Sequence, residues 1–148
     1  MKIVCPYAEV HPATSRALRR ASAEFHDVSG DDYAYWRLLR DLWAAGEAFI
    51  VVEHDIEPSA VQLRELAACP RPLCTFEYLY RGSAAVSALG CTKFGQQLLR
   101  RQLQWTFQLG ALDFAGHPKW RDAQAYLLSQ LPPAHVHEGL VRHHGALP

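Results

Sequence analysis

The chain has 148 residues, of which 49% are hydrophobic and 20% are charged, a composition typical of one globular domain and not of a disordered chain. Its 15 basic and 15 acidic residues give a formal net charge of zero, which argues against a protein that binds nucleic acid mainly through bulk charge. The longest apolar run, Ala48 to Val52, is too short to form a transmembrane segment.

The four cysteines do not form a recognisable motif. Cys5, Cys69, Cys74 and Cys91 include no pair with C-x-x-C spacing, so a zinc knuckle or a thioredoxin-like redox site is not expected. The N-terminal residues do not resemble a secretory signal peptide. We therefore expect a cytoplasmic protein with reduced thiols, in which the cysteines serve as small buried hydrophobic side chains.

Apolar segments alternate with helical patterns along the first half of the chain. Strands are predicted at Lys2 to Cys5, Glu24 to Val28, Ala48 to Val52 and Leu73 to Tyr80, and helices at Pro12 to Ala23, Tyr33 to Gly46 and Ser59 to Ala67. The second half is mostly helical by pattern, with helices from Phe94 and from Pro118 and a histidine-rich tail. This order predicts a single α/β domain whose mostly parallel sheet is covered by helices.

Three acids and a histidine follow the most apolar predicted strand, in the sequence Glu53-His54-Asp55-Ile56-Glu57. Ligands of open α/β sheets bind beyond the carboxyl ends of the strands. Crowded carboxylates repel one another and lose hydration, and a divalent cation would relieve both costs. Asp55 and Glu57 point to the same side of an extended segment, and their oxygens suit Mg²⁺ or Mn²⁺. The alternative is a solvated acidic loop before a helix that Ser59 caps.

The residues from Lys2 to Cys74 resemble the first part of a GT-A glycosyltransferase. A helix ending at Gly46, the strand Phe49 to Val52 and the tripeptide Asp55-Ile56-Glu57 resemble the helix-glycine-strand-D-x-D segment of that family, with Glu57 in place of the second Asp. The resemblance implies a Rossmann-like, three-layer fold. It also implies a nucleotide-diphosphate sugar as donor, an acceptor that the sequence does not identify, and a divalent cation that bridges the donor diphosphate.

The same resemblance implies residues that contact the donor. Tyr7 would stack on the nucleotide base and Asp27 would bond to the base or the ribose, with Glu9, Tyr35 and His54 bordering the same cleft. For the aromatic residues, packing in the core is the alternative role.

Histidines near the end of the chain are candidate metal ligands. Two groups contain them, His135-Val136-His137 and His143-His144. Histidine is the residue type most often found bound to metals. The resemblance implies that one late histidine joins Asp55 and Glu57 at the cation. We prefer His137 over His143 because Val136 and Val141 bracket it in a strand-like segment, although a partly exposed polar tail is the alternative.

A general base is implied only if the enzyme inverts the configuration of the sugar. The resemblance then points to Asp122, in the first turn of the last predicted helix, or to Asp113, just before that helix. A retaining enzyme would need neither. Two other functions stay open from the same residues: a non-catalytic shell that binds a nucleotide sugar, and a metal-dependent phosphoester hydrolase or nuclease.

Overall fold

The computed structural model describes residues 1–30, 33–80, 85–86, 88–101 and 127–145, which form a β-sheet with helices on both faces. The elements are β1 (Lys2–Tyr7), α1 (Pro12–Arg20), β2 (Glu24–Asp27), α2 (Ala34–Ala45), β3 (Phe49–Val52), β4 (Ile56–Glu57), α3 (Ala60–Ala68), β5 (Leu73–Leu79), β6 (Ala85–Val86), β7 (Cys91–Phe94), α4 (Gln96–Arg101) and β8 (His135–His143). Residues 127–130 are also helical.

The sheet is mixed, which corrects the prediction of a mostly parallel one. Its strand order is β2-β1-β3-β7-β5-β8-β4, and β6 pairs with β5. The pairs β1–β2, β1–β3 and β5–β8 are parallel, whereas β7 runs antiparallel to both of its neighbours. The chain between β5 and β7 is too short to hold the helix that usually joins parallel strands, so β7 returns in the opposite direction.

Two hydrophobic cores lie on opposite faces of the sheet, as the α/β prediction requires. Neighbouring residues of β3 alternate between them: Phe49 and Val51 pack with the buried side chains of α2, whereas Ile50 and Val52 pack with those of α1 and α3. This alternation follows from the twofold period of a strand. A four-residue apolar run is therefore buried on both faces, and the acids that follow it are held at a rigid edge.

Local signals in the sequence predicted where α2 ends and where α3 begins. Gly46 ends α2 in the left-handed conformation with φ of 70°, which glycine adopts without strain. Ser59 and Gln62 form a capping box at the start of α3. β1 continues through Pro6 to Tyr7, beyond the predicted end at Cys5. No helix in the described ranges has the length and hydrophobicity needed to cross a membrane.

Candidate functional site

The carboxyl ends of β2, β1 and β3 lie side by side at one edge of the sheet, because these three neighbouring strands are parallel. Tyr7 at the end of β1 pairs in register with Asp27 at the end of β2. Glu53, Asp55 and Glu57 follow β3 at the same edge. Adjacent strands are about 4.8 Å apart, so the acids and the Tyr7–Asp27 pair border one region of the surface.

Backbone hydrogen bonds fix the turn that carries the acids. The Glu53 amide donates to the Gly90 carbonyl over 2.9 Å, and the Ile56 amide donates to the Glu53 carbonyl over 3.1 Å. The amide of His11, the residue before α1, donates to the His54 carbonyl over 2.9 Å. The turn between β3 and β4 is thus attached to β7 on one side and to α1 on the other.

Asp55 pairs with His143 at the end of β8. The Nε2 atom of His143 lies 3.1 Å from Asp55 Oδ2, and both side chains are largely buried. The Gly145 amide donates to His143 Nδ1 over 2.8 Å, so the proton of a neutral imidazole is on Nε2, where it donates to Asp55. The imidazole also stacks on Tyr78, with 5.0 Å between ring centroids. The orientation of this histidine is therefore fixed from three sides.

Glu57 forms a second acid–histidine pair, with His144. The Glu57 Oε2 and His144 Nε2 atoms are 2.9 Å apart, while Arg142 reaches the same oxygen only at 3.7 Å from a largely exposed position. The His144 ring stacks on His11 with 3.8 Å between centroids. Burial and the neighbouring His144 lower the pKa of His11, which favours an uncharged His11 in the stack.

Glu53 is the third acid of the turn and is more buried than Asp55 and Glu57. Its side chain is buried, and burial together with the nearby charge of Asp55 raises its pKa to about 7, against a lowering effect of the Tyr35 hydroxyl. Neither Tyr35 Oη nor Glu53 Oε1 has a hydrogen bond of ordinary geometry within the described part of the chain. Glu53 is thus a buried carboxyl that exchanges its proton near neutral pH.

The two outer carboxylates could hold a divalent cation without giving up their histidine partners. The histidines use Asp55 Oδ2 and Glu57 Oε2, and in the described ranges neither Asp55 Oδ1 nor Glu57 Oε1 has a hydrogen-bond partner. Both side chains are partly accessible to solvent. Carboxylate oxygens suit Mg²⁺ and Mn²⁺, and ligating carboxylates are commonly oriented by hydrogen bonds to their other oxygen.

Of the two candidate late histidines, His143 lies next to the acids and the preferred His137 does not. His137 lies six residues earlier on β8 and stacks on Phe76, whereas His143 stacks on Tyr78. A ligand atom of His137 lies near the sulfur atoms of Cys69 and Cys74. Both histidines occur in strand-like sequence, and only the pairing of β8 with β4, with His143 opposite Ile56, distinguishes them.

The other predicted site residues are spread over the same edge or lie outside the described residues. Asp27 accepts hydrogen bonds from the Ser29 amide and hydroxyl, Tyr7 packs edge-on against Phe25, and Glu9 is exposed. Tyr35 is a core residue with its hydroxyl near Glu53, and His54 contributes its carbonyl to α1. Asp113 and Asp122 fall outside the described residues.

Sequence reasoning did not select His11, His144 or Tyr78 for this site. His144 had a signal, because it adjoins His143 in a chain whose last part is rich in histidine. His11 had only its place before Pro12 at a helix start. Tyr78 reaches the site through β5, which no local pattern indicates.

Known proteins include structures with a similar fold, but no match to the chain was found by sequence. No protein-family model matches the chain, and no curated protein matches it. The structure is similar to that of the A197 protein of STIV, with a TM-score of 0.54 and 13% identity over 68% of each chain. It is also similar to a glycosyltransferase involved in the glycosylation of the major capsid of PBCV-1, with a TM-score of 0.51 and 11% identity over 92% of this chain and 81% of that one. At these identities the likeness establishes a shared fold.

Proposed function

We propose that this chain is a glycosyltransferase that moves a sugar from a nucleotide-diphosphate sugar to an acceptor. The fold that it shares with a glycosyltransferase supports this function. The observation that carries the proposal is the Asp55–His143 pair at 3.1 Å. It holds a carboxylate in a fixed position at the sheet edge where α/β folds bind their ligands.

Asp55 Oδ1 and Glu57 Oε1 would hold Mn²⁺ or Mg²⁺, while His143 and His144 hold the opposite oxygen of each carboxylate. A bound cation supplies the positive charge that stabilises a departing diphosphate. The histidines act on the acids and not on the sugar: each one fixes the orientation of its own carboxylate. His143 would become a direct ligand only by moving its proton to Nδ1 and losing the bond from the Gly145 amide.

The nucleotide would lie over the ends of β1 and β2. Tyr7 offers an aromatic face there, and the exposed Asp27 carboxylate can accept a hydrogen bond from a ribose hydroxyl. The hydrogen bonds from Ser29 lower the pKa of Asp27, so this group is a charged acceptor at neutral pH.

A thermal-shift panel tests the function. Uridine and guanosine diphosphates, and sugars linked to them, are added with and without Mn²⁺. A transferase is stabilised by one nucleotide series and only together with the cation; a ligand at 100 times its Kd adds about 2.7 kcal/mol to the free energy of unfolding. Release of the nucleotide diphosphate from the matching sugar donor then shows turnover.

Matched variants make the panel specific. Asp55→Asn keeps the size of the side chain and removes its charge, and it should abolish the joint effect of nucleotide and cation. Asp41→Asn is the control, because Asp41 is an exposed acid of α2 that pairs with its neighbour Arg40. Joint stabilisation without turnover would indicate a binding shell, and stabilisation by the cation alone with phosphoester cleavage would indicate a hydrolase. No response to any nucleotide would contradict the proposal.

A further inference from the structure

A second cluster of metal-ligating side chains lies away from the acids. Donor atoms of Cys69, Cys74 and His137 all lie within 4.8 Å of one another, the only such group of three among the described residues. Both cysteines are buried, at 7% and 0% exposure. Two soft sulfur donors and an imidazole in a shielded position are the ligand types that zinc prefers in proteins.

The two cysteines are held on either side of one rigid turn. Cys69 is the C-cap of α3, where its amide bonds to the Glu65 carbonyl over 2.9 Å. Cys74 is the second residue of β5. Two of the four residues between them are proline, and proline limits the conformations of the chain in both the folded and the unfolded state. The backbone of this turn thus places the two cysteines near each other.

His137 reaches the cysteines from β8 through an irregularity in the sheet. The register of β8 against β5 shifts between Thr75 and Glu77, and Gly139 within the shifted segment has a φ of 88°, which favours glycine. Irregularities of this kind redirect side chains and are frequent next to functional sites. The His137 ring stacks on Phe76 at 5.0 Å, which holds it in place.

His137 also has an unused ligand atom. Its Nε2 atom is buried and has no hydrogen-bond partner within the described part of the chain. A buried polar atom without a partner is costly, on the order of 1–3 kcal/mol. A metal ion at the two sulfur atoms would give this nitrogen a partner.

The structure joins the same two cysteines as a disulfide, which differs from the expectation of reduced thiols and is the competing use of their sulfur atoms. The Cα atoms, however, are 7.1 Å apart, whereas disulfides usually span about 4.4–6.8 Å. Two thiolates on one ion are further apart than two bonded sulfur atoms, because each lies about 2.3 Å from the metal. The backbone spacing therefore suits a shared metal better than a covalent bond, and a disulfide would leave His137 Nε2 without a partner.

We propose that Cys69, Cys74 and His137 bind one Zn²⁺ ion. On binding, each thiol releases its proton to solvent, so that two thiolates and a neutral imidazole balance the charge of the ion. The neighbouring Lys93, whose ammonium group donates to the Cys69 carbonyl, then faces a site without net charge. The fourth tetrahedral position is filled by water or by His135, whose ring centroid lies 4.9 Å from that of His137.

The ion would join the end of α3 and the start of β5 to β8. β8 also carries His143, and His144 follows it, so that both histidines contact the acids. Zinc at His137 would therefore also stabilise the position of the candidate active site at the other end of β8. This inference does not depend on the proposed function, because the metal content of the chain is measured without any substrate.

The experiment measures metal in the full chain, purified under reducing conditions with Zn²⁺ present and separated from free metal by gel filtration. We expect inductively coupled plasma mass spectrometry to find about one zinc ion per chain. Cys69→Ser, Cys74→Ser and His137→Ala should each lose the bound zinc. Cys91→Ser and His26→Ala should keep it, because Cys91 is a buried free cysteine elsewhere and His26 lies on β2.

A second measurement on the unchanged chain covers the case in which variants fail to fold. Co²⁺ in place of zinc should produce the near-ultraviolet charge-transfer band of thiolate ligands, and the band should vanish when a chelator is added. The proposal is overturned if the reduced chain takes up neither metal, if Co²⁺ binds without the thiolate band, or if the three variants keep their zinc. A Cys69–Cys74 disulfide that persists in protein prepared with reductant and zinc would overturn it as well.

Discussion

The imidazole of His143 is held between Asp55 and Gly145, with Nε2 at 3.1 Å from the carboxylate and Nδ1 accepting from the Gly145 amide at 2.8 Å. The second contact determines the first, because an imidazole that accepts at Nδ1 carries its proton on Nε2. Asp55 therefore receives a hydrogen bond on one oxygen and keeps the other for a ligand.

Replacing His143 should weaken the binding of cation and nucleotide together. Loss of a partner that orients a metal ligand typically costs about 10–100-fold in affinity, and we expect this range for His143→Ala. Calorimetric titration of Mn²⁺ with the nucleotide diphosphate selected by the thermal panel measures it. His26→Ala serves as the control, since His26 pairs with Glu24 on β2. An affinity that His143→Ala leaves unchanged would contradict the orienting role.

The buried carboxyl of Glu53 should make the protein less stable as the pH rises. Its pKa is raised from 4.5 to about 7 in the folded chain, so the folded state holds this proton more tightly than the unfolded state. The free energy of unfolding should fall as the pH rises from about 4.5 to about 7 and level off above, by up to about 3 kcal/mol. Glu53→Gln should remove this decrease and stabilise the protein most at pH 8.

Urea denaturation at a series of pH values, without added Mn²⁺ or Mg²⁺, measures the effect of Glu53→Gln. The control is Glu47→Gln, because Glu47 is an exposed glutamate before β3. A difference between Glu53→Gln and the unchanged chain that is the same at pH 4.5 and pH 8 would show that Glu53 does not titrate in this range.

Gly90 should not tolerate a larger residue, because a side chain there would collide with the support of His143. A Cβ atom at Gly90 would lie 2.6 Å from Tyr78 Cε1 and 3.3 Å from Ile56 Cγ1. The Tyr78 ring is the one that stacks on His143. We expect Gly90→Ala to cost about 1–3 kcal/mol of stability and to weaken binding of the cation with nucleotide.

Thermal and urea denaturation of Gly90→Ala, with the same calorimetric titration, measure both effects. Gly30→Ala is the matched control, since a Cβ atom at Gly30 has nothing within 4 Å. If Gly90→Ala is as stable as Gly30→Ala, then Tyr78 is free to move and does not fix His143.

Cys5 and Cys91 should react very slowly with thiol reagents in the folded chain. Burial raises the pKa of each from 9.0 to about 12, and for Cys5 the acids Glu53 and Asp55 add to the effect. The thiolate is the reactive form, so its fraction at pH 8 should fall roughly 1,000-fold for three pKa units. Alkylation at pH 8 followed by peptide mass spectrometry measures this. Rapid labelling of either residue without denaturant would show that it is not buried as described.

The local elements of the first half could be predicted from the sequence because their signals are local. The apolar run of β3, the glycine at the end of α2 and the capping serine of α3 each act within a few residues. The position of β7 between β3 and β5 and the pairing of β8 with β4 depend on contacts between distant segments, which these patterns do not encode.

The candidate site was predictable only in part for the same reason. The acids after β3 were recognised from their place beyond a buried strand, and this required only the strand itself. The choice between His137 and His143 required the register of β8, since Asp55 and His143 are far apart in the chain. C-x-x-C spacing does not identify Cys69 and Cys74 as a pair, because four residues separate them.

Direct binding of Mn²⁺ tests the central claim, that Asp55 and Glu57 hold a cation that meets a nucleotide diphosphate. Electron paramagnetic resonance follows the signal of free Mn²⁺ as the protein is added, with and without the nucleotide diphosphate. The unchanged chain and Asp41→Asn should remove free Mn²⁺ most strongly when the nucleotide is present, and Asp55→Asn should not. Equal uptake by Asp55→Asn and the unchanged chain would contradict the account.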